Sequence, residues 1–385
     1  MKKFLFLVAL YLICTNLVFA QRESELRDWG NGYRSAYNTY ILKKSDSPTK
    51  LMPITDSISV AKELPYAQKY ANDLMGSEKT RILLYSVNRN IIFENHLNSD
   101  TKNSTPLAFS ISKSLTALAV GIAHCSGKIN SLDDKADKYI PRLTKTSWGN
   151  STVRQLLLMN SGSSFQQPGG TGWQSEPVAF KNRSIYRGSL FNDYLELMLA
   201  DDEQKYKPGE FFYYNNYDTL ALSLIIEAAT NQGFSEFFDK EIWNAIGAQK
   251  DGAWLRNRKS QTAAYVGFSA APEDYIRLGH YINEKFNDES SCIGKYLNDA
   301  IKPKQKTFIS TRCYGFQIWS WCNNNNFFFL GFGGQYLVMQ PKQNIVYYAH
   351  QGTHDNDAKV VDLFNQITNH LYSRKFIIND KSLLD

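Results

Sequence analysis

Ser110 and Lys113, a serine and a lysine three positions apart, are the residues whose types and spacing could do chemistry. Side chains three residues apart share one face of a helix, so the lysine amine can approach the serine hydroxyl. If burial or a neighbouring cation lowers the pKa of the lysine, its neutral amine can accept the serine proton. The positive end of the helix dipole then favours the resulting alkoxide. The pair predicts a nucleophilic serine with a lysine base.

The same spacing has an ordinary structural alternative, in which Ser110 caps the helix and Lys113 is solvated. A second Ser-x-x-Lys, at Ser47 and Lys50, lies in a proline-containing loop, and we interpret it as chance. The sequence has no G-x-S-x-G elbow, no Walker loop and no G-x-G-x-x-G after a strand. Ser110 is therefore the leading candidate nucleophile.

A tyrosine-rich segment at 207–216, KPGEFFYYNN, is a turn that leads into a helix. Tyr214 has a phenol that can relay a proton toward a leaving group. Asn216 can donate its amide to a substrate or to Lys113. Because the chain has 23 tyrosines, packing of Tyr214 in the core is the simpler alternative.

A glycine-rich segment at 329–335, FLGFGGQ, lies between two apolar runs of strand type. Glycine lets a backbone approach a ligand closely, and a strand edge beside a serine can supply one N–H of an oxyanion hole. The alternative is an ordinary glycine-rich turn. Gly331 and Phe332 are the candidate ligand contacts in this segment.

The first half of the chain contains the element that must position Ser110. Residues 57–76 have a helical pattern, and 82–96 contain two β-branched runs around Asn88-Arg89-Asn90, which indicate a hairpin. In 109–128, apolar residues recur every three to four positions and Gly127 follows them. This pattern predicts a helix with a broad apolar face that begins at Ser110.

The rest of the chain is mainly helical as far as Trp254 and rich in strands after it. Strand-type runs at the C-terminal end cover 314–321, 327–332, 335–340 and 344–350, between helical patterns at 272–286 and 362–373. This order predicts one α/β layer built from both ends of the chain. We expect sheet-domain segments at 21–128 and 256–385, with a helical domain at 129–255 inserted between them.

Residues 1–20 have a basic start, an apolar run over 4–13 and a small residue at Ala20. This pattern predicts a signal peptide that is cleaved after Ala20, and hence an exported protein, periplasmic or secreted. The alternatives are an uncleaved anchor, for which the run is too short, and a lipoprotein at Cys14, which bulky Ile13 disfavours. We expect no stable membrane insertion once the signal is removed.

Four cysteines follow the predicted signal peptide: Cys125, Cys292, Cys313 and Cys322. They allow three full pairings, and sequence alone cannot choose among them. Because a chain of this length does not need disulfides, we expect free buried thiols. Zinc is not expected, since the sequence has neither a C-x-x-C pair nor an HExxH motif.

The composition is that of a folded globular protein, with 43% hydrophobic and 21% charged residues over 385 positions. The net charge of +6 is modest, and the basic residues form no clustered stripe. These values exclude disorder as the main state and argue against a nucleic-acid partner.

Five segments, taken in order, resemble a known family. They are FSISKSLTALAVGIA, LLLMNSG, PGEFFYYNN, GFSAAPEDYIRLG and GFGGQYLVMQP. Their order is similar to that in the serine β-lactamase and penicillin-binding-protein superfamily, above all its class C-like branch, which includes esterases and 6-aminohexanoate-dimer hydrolases. The resemblance covers about 82–350. It implies an α+β, β-lactamase/transpeptidase-like fold: an antiparallel sheet flanked by helices, with an inserted all-helical domain.

The resemblance also implies roles for individual residues. Ser110 would be the acylated nucleophile, Lys113 its base and Tyr214 the proton relay, while Asn216 would contact the substrate. The oxyanion hole would be formed by the backbone N–H groups of Ser110 and Phe332, beside Gly331. No metal and no cofactor are implied.

The sequence departs from the family where a cation is expected before Gly331. Classical members have Lys or His and then Thr or Ser there, whereas this chain has Phe329 and Leu330. A phenyl ring cannot pair with a carboxylate, so a penicillin or a D-alanyl terminus would lose a charge-assisted contact. His350 offers a weak alternative cation, although its simpler interpretation is a surface histidine at the end of a strand.

The sequence hypothesis is an exported serine hydrolase that cleaves a small ester or amide through an acyl-enzyme, with no nucleic-acid partner. One alternative is a D,D-peptidase or β-lactamase that acts on peptidoglycan peptides or β-lactams. Another is a catalytically silent binding or accessory protein on the same scaffold. The intact set of Ser110, Lys113 and Tyr214 argues against the silent protein.

Overall fold

The structure is a computed structural model that describes residues 38–53, 65–76, 80–163, 193–200, 202–302, 305–307, 312–322, 326–352, 357–374, 377–378 and 381–382. The predicted signal peptide, 1–20, lies outside the described residues. So do 164–192, which include most of the glycine-rich loop after Ser161.

The helices are α1 (Pro65–Gly76), α2 (Ser99–Asn103), α3 (Ile111–Cys125), α4 (Ser147–Asn150), α5 (Val153–Leu157), α6 (Tyr194–Ala200), α7 (Asn216–Thr230), α8 (Phe234–Phe238), α9 (Asn244–Ile246), α10 (Pro272–Asn287), α11 (Cys292–Ile301) and α12 (Asp357–Arg374). A π-helical turn, Asp239–Trp243, joins α8 to α9. Among the described residues, none of these helices has the length and apolar character needed to cross a membrane.

The strands are β1 (Asn38–Leu42), β2 (Met52–Pro53), β3 (Thr80–Val87), β4 (Asn90–His96), β5 (Gly252–Arg256), β6 (Phe268–Ser269), β7 (Gln305–Lys306), β8 (Arg312–Tyr314), β9 (Trp319–Trp321), β10 (Phe327–Gly331), β11 (Gln335–Gln340), β12 (Ile345–Gln351), β13 (Ile377–Ile378) and β14 (Lys381–Ser382). Nine of them form one sheet in the order β2-β4-β3-β12-β11-β10-β9-β8-β7. Among the described strands of this sheet, β2 and β4 are the one pair that runs in parallel. A second sheet has the order β1-β5-β6.

The main sheet is assembled from both ends of the chain, since β3 pairs with β12 in antiparallel register. Residues of β10 alternate between two apolar clusters: Phe327 and Phe329 pack on the side of α3 and α11, and Phe328 and Leu330 pack on the side of α1 and α12. A strand buried on both faces reads as a continuous apolar run, which explains the sequence of β10. The predicted α+β architecture, an antiparallel sheet flanked by helices, is confirmed.

The predicted hairpin is present as β3 and β4. Asn88 and Arg89 occupy its two-residue turn with φ angles of 47° and 65°. Two consecutive left-handed residues match the right-handed twist of paired strands, and asparagine tolerates this region well. Local turn chemistry was therefore sufficient to find this element.

The described part of 129–251 contains helices and short helical turns, and strand β5, Gly252–Arg256, lies mostly within the range assigned to the helical domain, 129–255. Strand β5 pairs with β1, near the N-terminal end of the described chain. The division into a sheet domain and an inserted helical domain stays a prediction.

The expectation of free cysteines is wrong. Cys125 is bonded to Cys292 and Cys313 to Cys322, which is one of the three pairings that the sequence allowed. Cys125 ends α3 and Cys292 begins α11, and these two helices pack together. Cys313 and Cys322 lie in and just after the paired strands β8 and β9. Chain length says nothing about which residues the fold brings together, and that is why the expectation failed.

The two disulfides are expected to differ in their effect on stability. The Cys125–Cys292 bond spans 167 residues of sequence and the Cys313–Cys322 bond spans 9. Because a longer loop loses more entropy on closure, removing the first by alanine substitution should lower the free energy of unfolding by about 5 kcal/mol, against about 3 kcal/mol for the second. Urea unfolding followed by circular dichroism measures both losses. Equal losses of stability for the two disulfides would show that the entropy of loop closure does not determine their contributions.

Candidate active site

Ser110 lies immediately before α3, at the point where the chain enters the helix. Its side chain makes no capping hydrogen bond to the helix backbone, so the capping alternative is wrong. The preceding residue, Phe109, has a φ of 47°, in the left-handed region that a bulky side chain rarely adopts. Strained backbone of this kind is concentrated at functional sites. The turn presents the Ser110 hydroxyl beside α3.

Lys113 lies in the first turn of α3 and is buried, with 2% of the residue exposed. Its Nζ lies 3.0 Å from Ser110 Oγ, as the spacing of the two residues predicted. The same Nζ donates a hydrogen bond of 2.9 Å to the carbonyl oxygen of Tyr265. Burial lowers the pKa of Lys113 to about 7, because the charged form loses its hydration. The solvated-lysine alternative is therefore wrong.

Tyr214 lies next to this pair, with the centre of its ring 5.2 Å from Lys113 Nζ. The rings of Tyr314 and Trp319 support it, each with its centre 6.0 Å from that of Tyr214. The backbone beside Tyr214 is fixed by Met159, whose carbonyl oxygen accepts a 2.7 Å hydrogen bond from the N–H of Tyr213. The phenol thus belongs to the same cluster as Ser110 and Lys113.

Asn216 is the first residue of α7, and its side chain is buried. The neighbouring Asn215 caps this helix, with Oδ1 accepting a 2.7 Å hydrogen bond from the N–H of Tyr217. Since α7 packs directly against α3, Asn216 begins the helix beside the one that carries Lys113.

Gly331 ends β10 and Phe332 begins the turn that follows, and both lie against the chain that enters α3. A Cβ atom added to Gly331 would fall 2.3 Å from the carbonyl oxygen of Ala108. The rings of Phe332 and Phe109 meet edge to face, with their centres 5.8 Å apart. Only glycine permits this approach. The structure therefore brings the glycine-rich segment, 329–335, next to Ser110.

The positions that carry a cation in classical relatives are apolar and buried here. Phe329 and Leu330 lie in the interior, on opposite faces of β10. His350 is 1% exposed within β12, so its interpretation as a surface histidine is wrong. Burial, together with the charge of Arg81, lowers the pKa of His350 to about 3. His350 is therefore neutral at pH 7 and does not replace the missing cation.

The second Ser-x-x-Lys lies elsewhere. The backbone around Ser47 and Lys50 is hydrogen-bonded to the residue that follows α9: Thr49 N–H donates to the carbonyl oxygen of Gly247. This location agrees with the interpretation that the second motif arose by chance.

The sequence analysis did not identify Tyr265 or Met159. Both contact the site through a backbone carbonyl oxygen, and Met159 also does so through its thioether sulfur. Tyr265 contributes its backbone carbonyl to Lys113, and any residue type has that atom. Met159 contributes its carbonyl oxygen to Tyr213 N–H and its thioether sulfur to Asn215 N–H. Neither residue carries a signal in its type that could have revealed the contact.

The fold is that of the β-lactamase-fold serine hydrolases, and Ser110, Lys113 and Tyr214 form the candidate site in it. The profile of the beta-lactamase family matches residues 100–363, which is more than half of the chain. The chain belongs to this family.

Comparison with individual proteins supports the same fold. A putative 6-aminohexanoate-dimer hydrolase from Bacillus anthracis superposes with a TM-score of 0.74 and 20% identity, over 90% of this chain and 95% of that one. A class C beta-lactamase gives a TM-score of 0.56 and 15% identity, over 82% and 98%. Protein flp of Staphylococcus aureus (strain N315) is 23% identical over 67% of this chain and 55% of its own length. The chain thus spans about half the length of the curated relatives it matches.

Proposed function

We propose that the chain is an exported serine hydrolase that cleaves a small ester or amide through an acyl-enzyme on Ser110. The observation that carries this proposal is the 3.0 Å approach of a buried lysine amine to the Ser110 hydroxyl. A lysine with a pKa of about 7 is partly neutral near pH 7, and only the neutral amine can accept a proton.

In the acylation step, Lys113 accepts the proton of Ser110 while Oγ bonds to the substrate carbonyl carbon. The carbonyl oxygen becomes an oxyanion, which accepts hydrogen bonds from the backbone N–H groups of Ser110 and Phe332. Tyr214 relays the proton to the leaving alcohol or amine as its bond to the carbonyl carbon breaks. Asn216 contacts the substrate.

Deacylation reverses the proton path with water as the nucleophile. Tyr214 and Lys113 take a proton from the water as its oxygen attacks the acyl carbon. The tetrahedral intermediate then collapses, Ser110 regains its proton, and the carboxylic acid leaves. The cycle uses no metal and no cofactor.

The substrate preference follows from the residues at 329 and 350. Buried Phe329 and neutral His350 provide no cation for a substrate carboxylate. Without that charge-assisted contact, an apolar acyl group is favoured over a penicillin or a D-alanyl peptide. The proposed partner is therefore a small neutral ester or amide, and no nucleic acid takes part.

Export is supported by the pattern of residues 1–20 and by the two disulfides, since disulfides persist mainly in oxidising compartments. The proposed location is the periplasm or the medium, without stable membrane insertion after signal removal.

A D,D-peptidase or β-lactamase is the second candidate function, because a penicillin-binding protein of Bacillus subtilis is 26% identical over 148 residues.

Acyl trapping tests the proposal. The purified chain is mixed with p-nitrophenyl butyrate or with a fluorescent penicillin, quenched in acid and analysed by intact mass and peptide mapping. We expect a butyryl adduct on Ser110 and little penicilloyl adduct. Efficient penicillin labelling would favour the second candidate, and no adduct from either reagent would favour a silent accessory protein.

Alanine in place of Gly331 is expected to lower kcat/KM for p-nitrophenyl butyrate about 100-fold, as an error of about 1 Å in a catalytic group does. The new Cβ would lie 2.3 Å from the Ala108 carbonyl oxygen, so the turn that carries Phe332 N–H must move away from Ser110. Gly76→Ala is the matched control, since no atom lies within 4 Å of its added Cβ. Equal kcat/KM in the two variants would contradict an oxyanion role for this turn.

A further inference from the structure

Gln317, in the turn between β8 and β9, is a buried amide that contacts the helix carrying Lys113 and the helix that follows Tyr214. Its side chain is 1% exposed, and its backbone is left-handed with a φ of 52°. Left-handed backbone disfavours residues with a Cβ, so the contacts of Gln317 must offset a conformational cost.

Gln317 is hydrogen-bonded to both helices of the candidate site, α3 and α7. On α3, Ser114 Oγ donates to the carbonyl oxygen of Gln317, and Ser114 directly follows Lys113. On α7, Thr219 Oγ1 donates to Gln317 Oε1 at 2.9 Å, one turn after Asn216. One residue therefore links the helix of the proposed nucleophile to the helix that follows the proposed proton relay.

The same residue is bonded to the end of α5. Its backbone N–H donates to the carbonyl oxygen of Leu157 at 2.9 Å, and its Nε2 donates to that of Leu156 at 3.2 Å. Two residues after Leu157, Met159 accepts the N–H of Tyr213. The backbone on both sides of Tyr214 is thus tied to Gln317 through α5 and α7.

We propose that Gln317 is a positioning residue that fixes Ser110 and Lys113 relative to Tyr214. This inference rests on the proposed function. Gln317 does not touch the reacting atoms; it acts through Ser114 on α3 and Thr219 on α7. The backbone carbonyl of Gln317 bonds α3 and its side-chain amide bonds α7. Because a buried polar network has few alternative arrangements once its members are hydrogen-bonded, this one residue sets the distance between the two helices.

Gln317→Leu removes both side-chain hydrogen bonds at similar volume and tests the proposal. We expect kcat for p-nitrophenyl butyrate to fall between about 10-fold and 100-fold with KM unchanged, because proton transfer depends on alignment more than substrate binding does. Asn283→Leu is the matched control: it also removes a buried amide, which donates to the Ile345 carbonyl oxygen between α10 and β12. Its kcat should match the wild type at temperatures where both variants are folded.

Thr219 provides a rescue pair. Thr219→Val deletes the hydroxyl that bonds Gln317 Oε1, whereas Thr219→Ser keeps it. We expect kcat to fall in the valine variant and to recover in the serine variant. A loss in both variants, or in neither, would overturn the positioning role.

Hydrogen–deuterium exchange separates this inference from the proposed function. In Gln317→Leu, amides of α3 and of α7 should exchange faster together, at least about 10-fold, while Asn283→Leu leaves them unchanged. This readout requires no turnover. Unchanged exchange in Gln317→Leu would overturn the inference even if the wild type is an active enzyme. If the wild type is inactive but Gln317→Leu still speeds exchange in both helices, the link between the helices stands and the proposed hydrolase is rejected.

Discussion

Replacing Ser110 with alanine is expected to lower turnover of p-nitrophenyl butyrate by at least about 10⁴-fold, as loss of the nucleophile does in other serine hydrolases. The acyl-enzyme cannot form without Oγ, so the butyryl adduct should disappear as well. The fold should be retained, because the Ser110 side chain caps no helix backbone and, within the described part of the chain, it is hydrogen-bonded to Lys113. Steady-state kinetics, intact mass and thermal unfolding measure the three outcomes.

The matched control is Ser47→Ala, which removes the serine of the other Ser-x-x-Lys motif. Its side chain lies in the segment bonded to the end of α9, so turnover and adduct formation should match the wild type. If Ser110→Ala kept its turnover while Ser47→Ala lost it, the assignment of the nucleophile would be wrong.

Replacing Lys113 with methionine is expected to lower kcat about 10³-fold, a size typical of losing a general base. In the wild type, burial lowers the pKa of Lys113 to about 7, and the amine must be neutral to accept a proton. The wild-type kcat/KM should therefore rise with pH through about 7 and level off above it. Lys113→Met should show no such rise, and a pH–rate profile from 5 to 9 checks both curves.

The same substitution has a signature in stability. Burial lowers the pKa of Lys113 in the folded chain from 10.5 to about 7, whereas the unfolded chain has the ordinary value. Between these two pH values the unfolded state binds more protons, so the stability cost of burying Lys113 is full below pH 7 and shrinks as pH rises toward 10.5. We expect the free energy of unfolding of the wild type to rise between pH 7 and 9 relative to Lys113→Met. A constant difference would show that Lys113 keeps its ordinary pKa.

Elements set by local chemistry could be predicted from the sequence. The β3–β4 hairpin follows from Asn88 and Arg89 in its turn, and α3 follows from its apolar periodicity and from Gly127, whose φ is 72°. The approach of Lys113 to Ser110 follows from helix geometry alone, since the two residues are three apart. These features need no knowledge of distant parts of the chain.

Features that depend on distant contacts could not be predicted in the same way. Strand β1 is five residues long, and its partner β5 lies more than two hundred positions later, so neither shows a strong signal by itself. The pairing of the cysteines depends on how α3 meets α11. The partner of Lys113 at Tyr265 is a backbone carbonyl, and Gln317 is a lone glutamine with no motif around it.

The burial of α3 has a consequence for how the substrate range of this scaffold can change. Most side chains of α3 lie in the interior, and Gly121 has no room for a Cβ beside the ring of Tyr296. Substitutions along this helix would therefore cost stability before they changed the choice of acyl group. Phe332, which packs on Phe109, and Phe212, which packs on Tyr314, are only half-buried and can vary at lower cost. Libraries that aim to change the substrate should vary these half-buried positions and keep α3 intact.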